Sequence, residues 1–189
     1  MPDAKGSMQV WIHDRSSTTT TQLTFDGQNT LASWSPDGGR VAFSTSRIEG
    51  KNYIWSMPAD GSEKGARVGS GAELTSTGPA TWARDGKWII TDGVADGQTG
   101  ASPNGVSHED IFAIPTSGTT RTMRPVVATP ANEQVGEVSP DGKWIAYVAD
   151  DAANYQVYVQ RSCSRAVASS SRSVRRASRR GYRTTSSHT

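Results

Sequence analysis

"WSPDGGRVAF", residues 34 to 43, sets an apolar strand directly behind a Pro-Asp-Gly corner. Proline presets φ for the first central position of a tight turn, Asp accepts from the backbone amides ahead of it, and Gly takes the positive-φ position. Nearly the same phrase returns as "WARDGKWII" at 82–90 and as "VSPDGKWIAY" at 138–147. Aligned on their aspartates, Asp37, Asp85 and Asp141 are spaced by 48 and then 56 residues. The longer interval contains an insertion, "GVADGQTGASPNGVSHED" (93–110). Without most of it the period falls to roughly 40–48 residues, the range of four-stranded repeats arranged around an axis. Repeats of helix pairs share some of these periods. Here the segments alternate at period two and are rich in β-branched and aromatic residues, which excludes them.

Each unit has the same internal order. A short strand ends in Trp34, Trp82 or Val138, the corner follows, and the next strand is "RVAFSTS", "KWIITDG" or "KWIAYVAD". A third strand comes next: "NYIWSMP" (52–58), "DIFAIPT" (110–116) or "YQVYVQ" (155–160). An outer edge strand is expected after it, "ARVGSGAELT" (66–75) in the first unit and "TMRPVVATP" (122–130) in the second. At the N-terminus "MQVWIHD" (8–14) and "TTTQLTF" (19–25) supply the last half of an earlier unit. The expected architecture is therefore all-β: a partial β-propeller of about three four-stranded antiparallel blades. Its pieces fall at about 8–30, 31–77, 78–130 and 131–160, within a domain spanning 1–160.

The pattern resembles WD-repeat-like propeller repeats of the TolB type. The resemblance is carried by Leu23-Thr24, Trp34 through Gly38, Val41-Ala42-Phe43, Ile54-Trp55, Asp60-Gly61, and Ser139 through Tyr147. The run from Val126 to Gln160 is similar to propellers attached to bacterial serine/threonine kinases and related sensor proteins. Two departures bear on hairpin regularity: the second corner has Ala83-Arg84 where Ser-Pro is usual, and the third lacks Trp before Ser139. Closed rings of this kind have about four to eight blades, six being the expectation for this type. About three are countable here, so the reading is a fragment of a longer propeller. An open arc leaves blade faces wet, and self-association through them follows as an expectation.

Charge divides the chain. Residues 1–160 hold 12 Lys and Arg against all 18 Asp and Glu, whereas residues 161–189 hold eight Arg and no acid. That C-terminal stretch, Ser/Arg-rich and without apolar periodicity, cannot bury enough surface to order itself. It is expected to be a disordered tail, and a frameshifted end is the preferred explanation of its composition. "RRAS" (175–178) resembles a basophilic kinase site, and the arginines could meet phosphates. The acidic body opposes a polyanion, so nucleic acid is not the expected partner. No stretch approaches the roughly 18 apolar residues of a membrane span, and "MPDAKGSMQVW" has neither the basic nor the apolar region of a secretory signal. The compartment is left open, since TolB-type relatives work outside the cytoplasm.

No catalytic constellation emerges. His13, His108 and His188 share no metal-ligand spacing, no G-x-S-x-G elbow is present, and "SPDGGR" offers a calcium ion one carboxylate. Neither metal nor cofactor is expected. The six tryptophans, at repeat-equivalent strand positions, are read as blade-to-blade packing. The insertion is the exception, because loops on a rigid scaffold often carry recognition. Asp92, Asp96, His108, Glu109 and Asp110 make it acidic and are the candidate partner-binding residues. The expected function is a non-catalytic protein-interaction or scaffold module with a protein or peptide partner. The alternative is the detached sensory or gating propeller of a larger enzyme, a serine/threonine kinase or a peptidase.

Overall fold

The structure is a computed structural model that describes residues 6–48, 51–69, 74–78, 80–95, 108–117, 122–151 and 154–162, the side chains of 75–77 excepted. No helix occurs among the described residues, and none is long and apolar enough to cross a membrane.

All three Pro-Asp-Gly-type corners form the same turn. At the first, the Gly38 amide donates to the Ser35 carbonyl (2.9 Å) and Gly38 takes φ 71°. The Ser35 hydroxyl donates to Asp37 Oδ1 (2.6 Å) and accepts from the Arg40 amide (2.9 Å). The third corner repeats this, with Ser139 donating to Asp141 and accepting from the Trp144 amide. At the second corner Ala83 replaces the serine, yet the Gly86 amide still reaches the Ala83 carbonyl (2.8 Å) and Lys87 still donates to Asp85 Oδ1 (3.0 Å). The backbone and the aspartate are therefore sufficient to form the turn; the hydroxyl only reinforces it.

Strands β1 (Trp11–His13) and β2 (Thr20–Gln22) pair antiparallel as the N-terminal half sheet. The first full sheet runs β3 (Asn29–Trp34), β4 (Arg40–Ile48), β5 (Lys51–Pro58), β6 (Ala66–Arg67). In the second, β7 (Leu74–Thr77) and β8 (Thr81–Trp82) are two pieces of one inner strand on β9 (Trp88–Ala95). Outside it lie β10 (Asp110–Pro115) and β11 (Arg124–Val127). The third comprises β12 (Glu133–Val138), β13 (Trp144–Ala149) and β14 (Gln156–Arg161). Hydrogen bonding joins the first and second sheets through the Asn52–Leu74 pair. One strand expectation changes here. The stretch 66–75, read from sequence as one outer strand, divides: Ala66–Arg67 closes the first sheet, while Leu74–Thr77 opens the second.

Side chains alternate across each strand, so every sheet offers two faces, and the apolar clusters sit between sheets. Val10 and Leu23 pack on Val41, Phe43 and Met57. Ala42, Ile54 and Val68, on the other face of the first sheet, meet Ala80, Ile89 and Ile114. Ile90, Ile111, Ala113 and Val127 meet Ile145, Tyr147 and Ala149. Burying one such aliphatic side chain stabilises by about 1.5–3 kcal/mol, so the stability of the arc resides in these three seams. Trp55, Trp82 and Trp88 pack against them as expected. Trp34 and Trp144 do not: they are 53% and 42% exposed, and Trp144 stacks under the Arg161 guanidinium instead.

Inner strands break register at a common place. Leu31 and Val135 sit at equivalent positions with φ of 55° and 54°, inside the irregular steps Thr30/Ser33 and Gln134/Glu137. Positive φ is costly for a β-branched residue such as Val135 and for a bulky one such as Leu31, and marks a position held by its surroundings.

Candidate partner-binding site

β9 ends at Ala95 and β10 begins at Asp110, so both described ends of the insertion lie at the strand ends opposite the Pro-Asp-Gly corners. Asp92 lies two residues beyond Ile90 and so faces the third sheet. An atom at the Cβ position of Gly78 would lie 2.2–2.4 Å from its carboxylate, so the inner strand needs glycine there for Asp92 to fit. The bulge at Val135 turns its amide onto the same carboxylate. Burial, with a smaller contribution from Glu109, pushes the Asp92 carboxyl up to about 6 despite that amide. Asp92 Oδ1 is buried without a hydrogen-bond partner among the described residues.

Across from Asp92, the two ends of the insertion and the start of β12 converge. Asp110 is 3% exposed, with His108 Nε2 3.2 Å from its Oδ1. Glu133, fully buried, lies beside Asp110, close enough for that side chain to act on its carboxyl. It also accepts from the Thr129 hydroxyl and amide. Burial first, and then Asp110, pushes Glu133 up to about 7. A carboxylate beside a buried carboxyl favours the protonated form of the buried one. The frame around them is tight. Glu133 donates its amide to the Glu109 carbonyl (2.8 Å), Glu109 donates its amide to Asn132 Oδ1 (2.8 Å), and Gln134 donates its side-chain amide to the Glu109 carboxylate. Asn132 in turn donates its amide to Asp150 (2.7 Å) and its side-chain amide to the Tyr155 hydroxyl (3.1 Å).

Four of the five residues singled out in the sequence thus meet at one end of the seam between the second and third sheets; Asp96 lies outside the described residues. Glu133, Asn132 and Asp150 were not anticipated. The sequence held one usable signal: Glu133 occupies the repeat position of Asn29, and a carboxyl at a sealed strand start requires a partner. The equivalent corner of the first sheet is chemically different. Asn29 donates to Gln9 Oε1 (2.9 Å) and accepts from Arg47 (2.9 Å), which also pairs with Asp26 at 3.3 Å. One seam is closed by amides and a guanidinium, the other by carboxyl groups. Among the described residues no group of three or more His, Cys, Asp or Glu is arranged to hold a metal ion. His13 is a strand-face residue whose ring contacts the Thr20 hydroxyl at 2.9 Å, and His188 lies outside the described residues.

No protein-family model and no curated protein matches the chain. Solved structures do. TolB from Acinetobacter baumannii superposes with a TM-score of 0.63 at 24% identity, over 82% of this chain and 36% of that one. An oligogalacturonate lyase in complex with manganese gives 0.63 at 15% identity, over 86% and 43%. One of two prolyl endopeptidases gives 0.55 at 15% identity, over 81% and 24%. The chain spans less than half the length of each of these proteins. Taken with the radially stacked antiparallel sheets, these likenesses identify the fold as part of a β-propeller of the TolB type.

Proposed function

We propose that the chain is a non-catalytic protein-interaction module, and that its partner presents a basic segment to the acidic end of the seam between the second and third sheets. The observation that carries this is the convergence of Asp92, Glu109, Asp110 and Glu133 on one rim. Asp92, Asp110 and Glu133 are buried and set the field, while Glu109 and His108 are half-buried and make the contact. A Lys or Arg arriving there gains Coulomb energy in a partly desolvated place, where it is screened less than on open surface. It would also favour the ionised forms of Asp92 and Glu133.

The test is titration of the whole chain with lysine- and arginine-rich peptides and with acidic peptides of equal length. Basic peptides should bind, weaken steeply with salt, and lose about tenfold in affinity in Glu109→Gln, the scale of about 1.4 kcal/mol. Equal binding of both peptide sets, or unchanged affinity in Glu109→Gln, rules the reading out.

A second reading rests on the partial coverage of the structural relatives. The same sheets form about a quarter of a prolyl endopeptidase chain, so this arc fits equally the sensory or gating part of an enzyme such as a peptidase or a serine/threonine kinase. A reading frame for a catalytic domain joined to this one in the genome would favour it.

A further inference from the structure

Outer strands differ sharply in how well they resist pairing with a foreign strand. β2, β6 and β11 are three, two and four residues long, and β11 contains Pro125. Short length and proline are both devices that blunt a sheet edge. β14 has neither: it runs six residues, Gln156 to Arg161, and its one charge is at its end. Its described partner is β13 alone.

The repeat shows which groups point outward. In the first sheet Val68 donates its amide to the carbonyl of Ile54, and in the N-terminal pair Leu23 donates to Val10. Ile54 lies opposite Ser44, as Val157 lies opposite Val148, so Val157 is the equivalent of Ile54. Its carbonyl, and by alternation the backbone groups of Tyr155, Val159 and Arg161, face away from β13. Elsewhere an aliphatic side chain from the outer strand sits beside this position: Leu23 near Val10, Val68 near Ile54, Val127 opposite Ile111. In the third sheet Val157 and Val159 are 73% and 60% exposed.

The strand is complementary to itself. Gln156-Val157-Tyr158-Val159-Gln160 reads identically in both directions. We propose that β14 pairs antiparallel with β14 of a second copy of this chain, about a two-fold axis through Tyr158. That register places Val157 opposite Val159 of the second copy twice, both residues outward-facing, so each pair exchanges both backbone hydrogen bonds. Gln156 stands opposite Gln160 on the other face. Directly opposed β-branched pairs stabilise an antiparallel ladder, and like charges placed there oppose it. The two three-stranded sheets become one of six strands, and the interface is isologous. This edge is distinct from the acidic rim, so dimerisation and basic-peptide binding can fail independently.

The experiment is sedimentation of the full chain over a concentration series, with three comparisons. Wild type should show a concentration-dependent dimer. Val157→Lys with Val159→Lys should keep the β-type circular dichroism spectrum and weaken self-association at least tenfold, as should the matching double glutamate variant. Mixing the Lys and Glu variants should restore a dimer, because the register sets each Lys against a Glu. Hydrogen exchange of residues 156–161 in the wild type gives a readout free of mutation: protection should rise with concentration. A wild type that stays monomeric overturns the proposal. So does a dimer indifferent to the lysines, a Lys–Glu mixture that remains monomeric, or protection of β14 at every concentration, which would mean the chain covers its own edge.

Discussion

Asn29 and Glu133 begin β3 and β12 at equivalent repeat positions, and both are sealed from solvent, at 2% and 0% exposure. The amide satisfies its site with neutral partners and Arg47, whereas the carboxyl is sealed beside Asp110, and burial first and then that neighbour push it up. The raised carboxyls make stability depend on pH. Asp92 and Glu133 bind protons more tightly in the folded chain, at about 6 and about 7. Their contribution is fully present below the ordinary carboxyl range and is lost as pH rises through those values. Asp14, held near 2 by Ser16 and Ser17, acts in the opposite direction but only in stronger acid. The melting temperature should therefore fall between pH 5 and pH 8.

Glu133→Gln should remove most of that slope. At pH 8 it should raise the melting temperature by roughly 2–4 °C, the response to about 1 kcal/mol in a chain of this size, and near pH 5 it should change little. A melting series across pH, wild type against variant, checks this; a variant less stable at pH 8 contradicts a buried carboxyl raised by its surroundings.

Gly136 lets the inner strand of the third sheet press onto the second. A Cβ there would lie 2.8 Å from Ile111 Cγ2 and 3.3 Å from Ile90 Cγ2, both on buried side chains. Gly136→Ala should cost about 1–3 kcal/mol through overpacking, read as a lower urea midpoint with unchanged slope. The same substitution is already present at the equivalent position of the first sheet, Ala32, where it is exposed.

The second corner lacks the hydroxyl that ties Ser35 to Asp37 and Ser139 to Asp141. Ala83→Ser should restore the link to Asp85 and stabilise by about 0.5–1.5 kcal/mol, the net value of one hydrogen bond. Ser35→Ala should lose a similar amount. Paired denaturant curves measure both.

Truncation at a seam should separate packing from surface. Ile89, Ile111 and Ile145 are 0% exposed between sheets, and alanine at each should cost about 2–5 kcal/mol. Phe25 is 73% exposed, and Phe25→Ala should stay within about 0.5 kcal/mol. Thermal melts of the four variants rank them.

Local chemistry explains which parts were legible beforehand. The corners at Asp37, Asp85 and Asp141 announce themselves because turn geometry is fixed within six residues, and period-two strands follow directly. The 66–75 stretch misled because strand patterning gives no mark where one sheet ends and the next begins: Ala66–Arg67 and Leu74–Thr77 are two short strands that look like one weak strand. For the candidate site, the insertion was visible as a break in the repeat, which brought Asp92, His108, Glu109 and Asp110 into view. Glu133 stayed hidden, since Glu109 and Asp110 meet it across a seam between sheets and strand patterning contains no information about which sheets face each other.

The three apolar seams join neighbours in series. Order acquired at one of them can spread to the next without first closing a long loop. Opening can likewise begin at either end while the central seam, between Ile54 and Ile114, holds. Slow-exchanging amides should therefore concentrate in β4, β5, β9 and β10, and the end strands should exchange through smaller, local excursions.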